Sequence, residues 1–293
     1  MPLAADRVRN QPRKLRKSLK ALPKDLSAEH VHQLRTRTRR LEALAEALGL
    51  DTRKNERRLL KAVRPVRKRA GKVRDMDVFA DFASTVRIDR ERECSLRLVG
   101  HLGRERERQA RKLQKVVAAH TPELRRRLKR SEGLLDELLV NDFSNGRKAS
   151  TEATALALRL EAELRDWPPL NRKNLHRFRL KVKELRYVLE MATGAEDNFV
   201  KELGKVKDAV GEWHDWEELA GIAAQIIQHK RCELLARIRS KVEQKFEHAL
   251  AITNRLRMRW LGTGSKSGER KSRVKSFPRA APPAILSASV LAS

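Results

Sequence analysis

The chain has 293 residues, and its 67 Lys and Arg residues outnumber its 38 Asp and Glu residues, which gives a formal net charge of +29 at pH 7. A folded protein with this imbalance attracts polyanions, so its partners belong among nucleic acids, anionic membrane surfaces and phosphate polymers. Aromatic residues make up only 4% of the chain. Helix formers dominate, so the composition favours an all-α protein and speaks against a sheet.

Apolar residues recur at spacings of three and four along most of the chain, which is typical of amphipathic helices. Breaks between the predicted helices fall near Gly49 and at 120–123, 141–150, 166–171 and 193–198. The charged stretch from Arg87 to His120 is predicted to be one long helix. A proline of 166–171 is predicted to open the helix that follows. Residues 261–293 are rich in Ser, Gly, Pro and Lys, and we expect a disordered basic tail there.

Two predicted helices, at 31–48 and 175–191, carry a basic strip beside an apolar one. On a helical wheel the apolar residues of the first helix share one side with Leu34 and are predicted to be buried: Leu41, Leu44, Ala45 and Leu48. The basic strips contain His32, Arg35 and Arg39 in the first helix, and His176, Arg179, Lys183 and Arg186 in the second. Like charges at this spacing destabilise a helix by about 0.2–0.5 kcal/mol per pair. An anion that neutralises them therefore explains the strips better than a solvated surface does.

The two strips belong to an internal repeat. At an offset of 144 residues His32 matches His176, Arg35 matches Arg179 and Arg39 matches Lys183. Residues 63–79 and 203–219 match at an offset of 140, which aligns Arg67 with Lys207, Gly71 with Gly211 and Asp75 with Asp215, whereas Arg74 is replaced by His214. Two matched blocks in the same order predict a duplicated helical unit, arranged as a pseudo-twofold pair.

Four motifs summarise these blocks: His-x-x-Arg-x-x-x-Arg-Arg-Leu at 32–41, Arg-Asp-x-Asp-Val at 74–78, His-x-x-Arg-x-x-x-Lys-x-x-Arg-Tyr-x-x-Glu at 176–190, and Leu-Gly followed by His-Asp at 203–215. Together they resemble the CHAD domain, a histidine-bearing α-helical domain associated with inorganic polyphosphate. The resemblance covers roughly residues 14–258. It implies an all-helical (all-α) fold of two pseudo-symmetric helical bundles around a central basic groove that holds polyphosphate, and association with polyphosphate granules. We expect one domain at 1–260, with halves at about 14–143 and 152–258, ahead of the tail.

The resemblance also implies which side chains contact polyphosphate. Carried over by motif, the first half contributes His32, Arg35, Arg39 and Arg40, and the second half contributes His176, Arg179, Lys183, Arg186 and Tyr187. The matched blocks that follow add Arg67, Arg74, Lys207 and His214. If His32 and His176 titrate near the reference pKa of about 6.5, polyphosphate binds more tightly below that pH.

Nonspecific binding of RNA or DNA remains an alternative function. Proteins that bind single strands use aromatic side chains on which bases stack, and these basic strips carry almost none, Tyr187 being the one tyrosine of the chain. A metal-dependent phosphohydrolase is a weaker alternative, suggested by the His-Asp pair at 214–215. Asp75 and Asp215 are better explained as helix caps, or as acids that orient a groove arginine, than as metal ligands.

Other chemistry finds little support in the sequence. No nucleophile–base pair or phosphate-binding glycine loop is visible, so we expect a binding protein rather than an enzyme, with no cofactor and no metal. Cys94 and Cys232 are predicted to be free thiols in a reducing compartment. The sequence has no apolar signal segment and no run of about 18 apolar residues, so we expect a cytoplasmic protein without membrane insertion.

Overall fold

The computed structural model describes residues 2–23, 25–86, 92–140, 145–227 and 232–262, with the backbone alone for 140 and 145–148. In these ranges the regular secondary structure is helical, apart from a single β-bridge between Leu3 and Ala192. The predicted all-α class is confirmed. The α-helices of the described ranges are α1 (Ala5–Lys20), α2 (Ala28–Ala47), α3 (Lys54–Thr85), α4 (Arg92–Val140), α5 (Asn145–Arg165), α6 (Leu175–Glu190), α7 (Asp197–Ile226) and α8 (Glu233–Trp260).

Helix α2 shows how the sequence specifies the local structure. Ser27 caps its start by accepting a hydrogen bond from the backbone N–H of His30. The chain leaves the helix through Gly49, whose φ of 59° is the left-handed conformation that glycine adopts without strain. The predicted apolar strip between these ends is buried, as Leu34 is 0% and Leu41 is 2% exposed. The basic strip is consequently held at a fixed angle to the core.

The helices pack as two sets that follow the chain order. In the first set α3 packs against α2 and α4, and α1 packs against α2 and α4. In the second set α7 packs against α6 and α8, and α5 packs against α6. The sets meet where α2 contacts α6 and α3 contacts α7. Phe82 of α3 and Trp216 of α7 stack there with ring centroids 4.6 Å apart. The internal duplication itself remains an interpretation of the sequence.

The helix boundaries that were predicted at prolines were wrong. The break at 120–123 does not exist, because α4 continues through Pro122 to Val140. A proline removes one backbone donor from a helix, and Leu124 and Leu128 on the buried side of α4 keep the next turns packed in the core. The prolines of 166–171 also do not open α6, which begins at Leu175. Instead the Asn174 side chain closes the turn, with its amide donating to the carbonyl of Pro169 at 2.8 Å.

Several expectations fall partly or wholly outside this description. Residues 87–91, 141–144 and 263–293, which include nearly all of the predicted tail, lie outside the described residues. No helix in the described part of the chain is long and apolar enough to cross a membrane. Neither Cys94 nor Cys232 forms a disulfide within the described residues.

Candidate functional site

The contact between α2 and α6 brings the two basic strips into one neighbourhood, flanked by α3 and α7. Burial, and then the charges of Arg39 and Arg35 on α2 among others, lower the pKa of Lys183 on α6. The pKa of His32 is lowered by burial, and then by Arg74 of α3 and Lys207 of α7 among others. Cations from four helices are therefore close enough to repel one another. We use the name cationic cluster for His32, Arg35, Arg39, Arg74, His176, Arg179, Lys183, Lys207 and His214.

Lys183 lies deepest in the cationic cluster. Its side chain is only 7% exposed, which is unusual for a lysine. Burial, followed by the charges of Arg39, Arg179, Arg35 and Lys207, lowers its pKa to about 6. The ion pairs nearby use other cations, and none among the described residues joins Lys183 to a carboxylate. The free protein consequently keeps this amine largely uncharged at pH 7.

Arg35 and Arg39 present donors that lack an acceptor. Burial, and then the charges of Arg35 and Arg67, lower the pKa of Arg39 to about 10. The Nε atoms of Arg35 and Arg39 are both shielded from solvent, with no hydrogen-bond partner in the described residues. Buried donors in native proteins are nearly always paired, so these two Nε atoms indicate a place where an anion or water binds.

Arg179 is held against the backbone of α7. Its Nε donates a 2.9 Å hydrogen bond to the carbonyl oxygen of Lys207. A Cβ atom at Gly211 would lie 2.5 Å from a terminal nitrogen of Arg179, so only glycine leaves room for the guanidinium there. Burial lowers the pKa of Arg179, and the charge of Asp215 raises it. Gly211 thus leaves the space that the Arg179 side chain occupies.

Asp75 and Asp215 lie in the middle of α3 and α7, so their interpretation as helix caps was wrong. Burial raises the pKa of Asp215 to about 6, and the charge of Arg179 opposes this rise. Burial likewise raises the pKa of Asp75, opposed by Arg35. Among the arginines, Arg35 has the largest effect on Asp75 and Arg179 the largest on Asp215, and no ion pair within 4.0 Å joins either pair among the described residues. Whether these acids orient a groove arginine therefore stays a prediction.

The histidines do not titrate near 6.5 as expected. The rings of His176 and His214 lie 4.1 Å apart between centroids. Burial, followed by the charges of His214 and Arg179, lowers the pKa of His176 to about 4. Burial, and then Arg179, lowers the pKa of His214, and the pKa of His32 is lowered as well. These histidines are consequently neutral in the free protein at pH 7.

The remaining predicted site residues are placed differently, because carboxylates or a neighbouring helix engage them. Glu190 accepts from Arg186 at 2.7 Å and lies 3.8 Å from Arg40. Arg67 donates to Glu42 at 2.7 Å. Within the cationic cluster, Lys207 pairs with Asp208, and His214 lies 3.5 Å from Glu218. Tyr187 and Arg40 line a cavity of about 320 Å³ against α1.

Sequence reasoning missed two features of this region. The first is the α1 wall of the cavity, formed by Arg7, Lys14 and their neighbours, which no motif marked. The second is a carboxyl pair between α2 and α6. Partial burial, a hydrogen bond with Glu184 and the charge of Glu184 raise the pKa of Glu46 to about 7. At the offset of 144 residues that relates the two strips, Glu46 matches Glu190 and Arg40 matches Glu184. The carboxyl pair therefore corresponds to the ion pair of Arg40 with Glu190, and the sequence alone could have indicated this match.

The fold and the site define a helical protein with a partly buried cationic cluster shared between two helix pairs. In the part of the chain that the structure describes, no group of three or more His, Cys, Asp or Glu side chains could hold a metal ion. The chain belongs to the CHAD domain family, because the family model "CHAD domain" matches residues 6–224, more than half of the sequence.

Solved structures share this fold at low sequence identity. The CHAD domain from the plant Ricinus communis matches with a TM-score of 0.63 at 18% identity, covering 86% of this chain and 88% of that one. PptA from Streptomyces chartreusis matches with a TM-score of 0.57 at 15% identity, covering 87% of this chain and 99% of the other. No curated protein matches the sequence.

Proposed function

We propose that this protein binds inorganic polyphosphate in its cationic cluster, without catalysing a reaction. The observation that carries the proposal is that Arg35, Arg39 and Lys183 converge from two helices with no carboxylate paired to them in the described residues. The fold keeps these cations together although they repel one another. A bound polyanion relieves that repulsion and supplies acceptors for the unpaired N–H groups.

A phosphate chain suits the chemistry of the cluster. Each residue of polyphosphate offers the same oxyanion, so recognition depends on a row of donors rather than on base edges. Arginine forms two parallel hydrogen bonds to a phosphate group, which a lysine ammonium does not. Arg35 and Arg39 lie one turn apart on α2, and Arg179 extends the row from α6.

The aromatic residues favour polyphosphate over nucleic acid. Trp213 and Trp216 are near the cluster in sequence, yet they are 1% and 3% exposed. Trp167 packs edge-on against the buried ring of Phe178. Side chains committed to the core offer no platform for base stacking, which contributes about 1–3 kcal/mol per base in single-strand binders. Nucleic acid would therefore bind through its phosphates alone.

A matched pair of variants tests the proposal. The triple variant His32→Ala/Arg35→Ala/Arg39→Ala removes one histidine and two arginines from the cluster. His120→Ala/Arg125→Ala/Arg126→Ala removes the same residue types from α4, where both arginines are exposed. Titration with polyphosphate of defined length should show weaker binding for the first variant by at least about 1.5 kcal/mol. Equal affinity of the two variants would place binding elsewhere.

Competition and an enzyme assay test the alternatives. Polyphosphate should displace RNA at equal phosphate concentration, whereas RNA should not displace polyphosphate. The phosphohydrolase alternative requires release of phosphate that depends on a divalent metal and on Asp75 or Asp215.

We further propose that the protein associates with polyphosphate granules in the cytoplasm. A fluorescent fusion that carries the cluster variant should lose granule association if the cluster is responsible.

A further inference from the structure

Lys183 is the most buried cation of the cluster, and no acceptor or carboxylate among the described residues pairs with its amine. It is 7% exposed, whereas the side chain of Lys207 is 25% exposed and pairs with Asp208. Its neighbour Lys181, two residues earlier on α6, pairs with Glu163 at 3.0 Å and Glu184 at 3.4 Å. The same helix thus holds one lysine in an ion pair and another among cations.

The groups that face Lys183 come from each element around it. Helix α2 contributes Arg35 and Arg39, and α7 contributes Lys207. Its own helix contributes Arg179, and His176, whose pKa Lys183 itself lowers. Helix α5 contacts α6 through Glu163, which is engaged by Lys181 rather than by Lys183. Asp75 and Asp215 lie among the same arginines, where each interacts with Arg35. The charges with the largest effect on Lys183 are nevertheless all positive.

A polyanion bound in the cluster changes the electrostatic surroundings of Lys183. Its oxygens bring negative charge and hydrogen-bond acceptors next to an amine that had neither. Both effects favour the charged form, as nearby opposite charge and hydrogen bonding to the charged state raise the pKa of an amine. Lysine suits such a role because, unlike arginine, it loses and regains its proton near neutral pH when it is buried.

We propose that polyphosphate binding is coupled to protonation of Lys183: the free site holds this amine uncharged, and the bound phosphates draw a proton onto it from solvent. The coupling rests on the proposed function and adds a pH sensor to it. Because the proton is taken up on binding, affinity weakens by up to about tenfold for each pH unit of rise, over the range in which Lys183 is neutral when free and charged when bound. The site releases polyphosphate as the pH rises.

The test is the pH dependence of the dissociation constant for polyphosphate of defined length, from pH 7 to 8.5 at constant salt. The variant Lys183→Arg carries its charge with or without ligand, so its dissociation constant should depend on pH more weakly, by close to one logarithmic unit per pH unit. Lys183→Met is uncharged in both states and should lose the same part of the slope, which provides a second variant if the first does not fold. Lys181→Met should keep the slope of the wild type.

Calorimetry in two buffers of different ionisation enthalpy counts the protons directly. The wild type should take up close to one proton more per bound chain than Lys183→Arg does. Protons exchanged by the ends of the polyphosphate are common to all variants and cancel in this difference. Identical proton counts and slopes would overturn the coupling while leaving polyphosphate binding intact. Absence of binding by the wild type would overturn the proposed function and the coupling with it.

Discussion

Arg179 of α6 occupies the space that a side chain at residue 211 of α7 would need. A Cβ at Gly211 would lie 2.5 Å from one guanidinium nitrogen and 3.0 Å from the central carbon. In the sequence repeat Gly211 and Arg179 correspond to Gly71 and Arg35, which also lie side by side, but there the closest approach to an added Cβ is 3.7 Å. One glycine is therefore required for close packing and its counterpart is not.

The variant Gly211→Ala should lose polyphosphate affinity while the fold persists. The new methyl group displaces Arg179 from the carbonyl of Lys207, and a guanidinium at the end of a flexible chain moves more easily than the helix does. We expect a loss of about 1.5–3 kcal/mol of binding free energy if one charge-assisted contact is lost. Gly71→Ala is the matched control and should bind as the wild type does. An equal loss of polyphosphate affinity in both variants would show that the close contact between Gly211 and Arg179 has no particular role in binding.

Glu190→Gln should strengthen polyphosphate binding. Glu190 engages both Arg186 and Arg40, and removing its charge frees two guanidinium groups for an anion. The control is Glu132→Gln, which frees Arg16 on α1, outside the site, and changes the net charge equally. Titrations of both variants at the same salt concentration separate a local effect from one of net charge. Unchanged affinity for Glu190→Gln would place Arg40 and Arg186 outside the binding surface.

The unliganded protein should lose stability as the pH falls from about 6.5 to 4, in part because of His176. The unfolded chain takes up a proton at this histidine near pH 6.5, whereas the native pKa is about 4. The unfolded state therefore binds more protons between these values, and acid favours it. His176→Gln should show a smaller fall in melting temperature over this range. A fall identical to that of the wild type would mean that the native pKa of His176 is not lowered.

Glu46 should have the opposite effect on stability. Its native pKa of about 7 lies above the ordinary value of 4.5, so the native state retains a proton that the unfolded state has lost. Stability contributed by the protonated pair with Glu184 is present below pH 4.5 and is lost as the pH rises through 7. Glu46→Gln keeps a hydrogen-bond donor and should therefore raise the melting temperature more at pH 8 than at pH 5. An equal change at the two pH values would exclude the shared proton.

The sequence predicted those parts of the molecule that depend on periodicity. The buried strip around Leu34 follows from spacings of three and four on one helix, and it was predicted correctly. The ion pair of Arg186 with Glu190 uses the same spacing. The predicted site residues largely converge, because the repeat placed equivalent strips on α2 and α6. Whether they bind polyphosphate remains a prediction.

The features that the sequence did not predict depend on tertiary contacts. Pro122 was taken as a break, but packing of α4 holds the helix through it. The histidines were expected to titrate near pH 6.5, yet burial beside other cations lowers their pKa. Lys183 was predicted to contact polyphosphate, but nothing in the sequence indicated that it is buried. All three features depend on contacts with neighbouring helices. The spacing of residues along one helix carries no information about those contacts.

The central claim is that α2 and α6 present their cations to the same phosphate chain. A crystal structure of the full chain with polyphosphate of defined length tests this most directly. We predict phosphate groups between the two helices, with oxygens at hydrogen-bond distance from Arg35 and Arg39 on one side and from Arg179 or Lys183 on the other. Phosphate groups bound only along the exposed arginines of α4, with the space between α2 and α6 empty, would contradict the account.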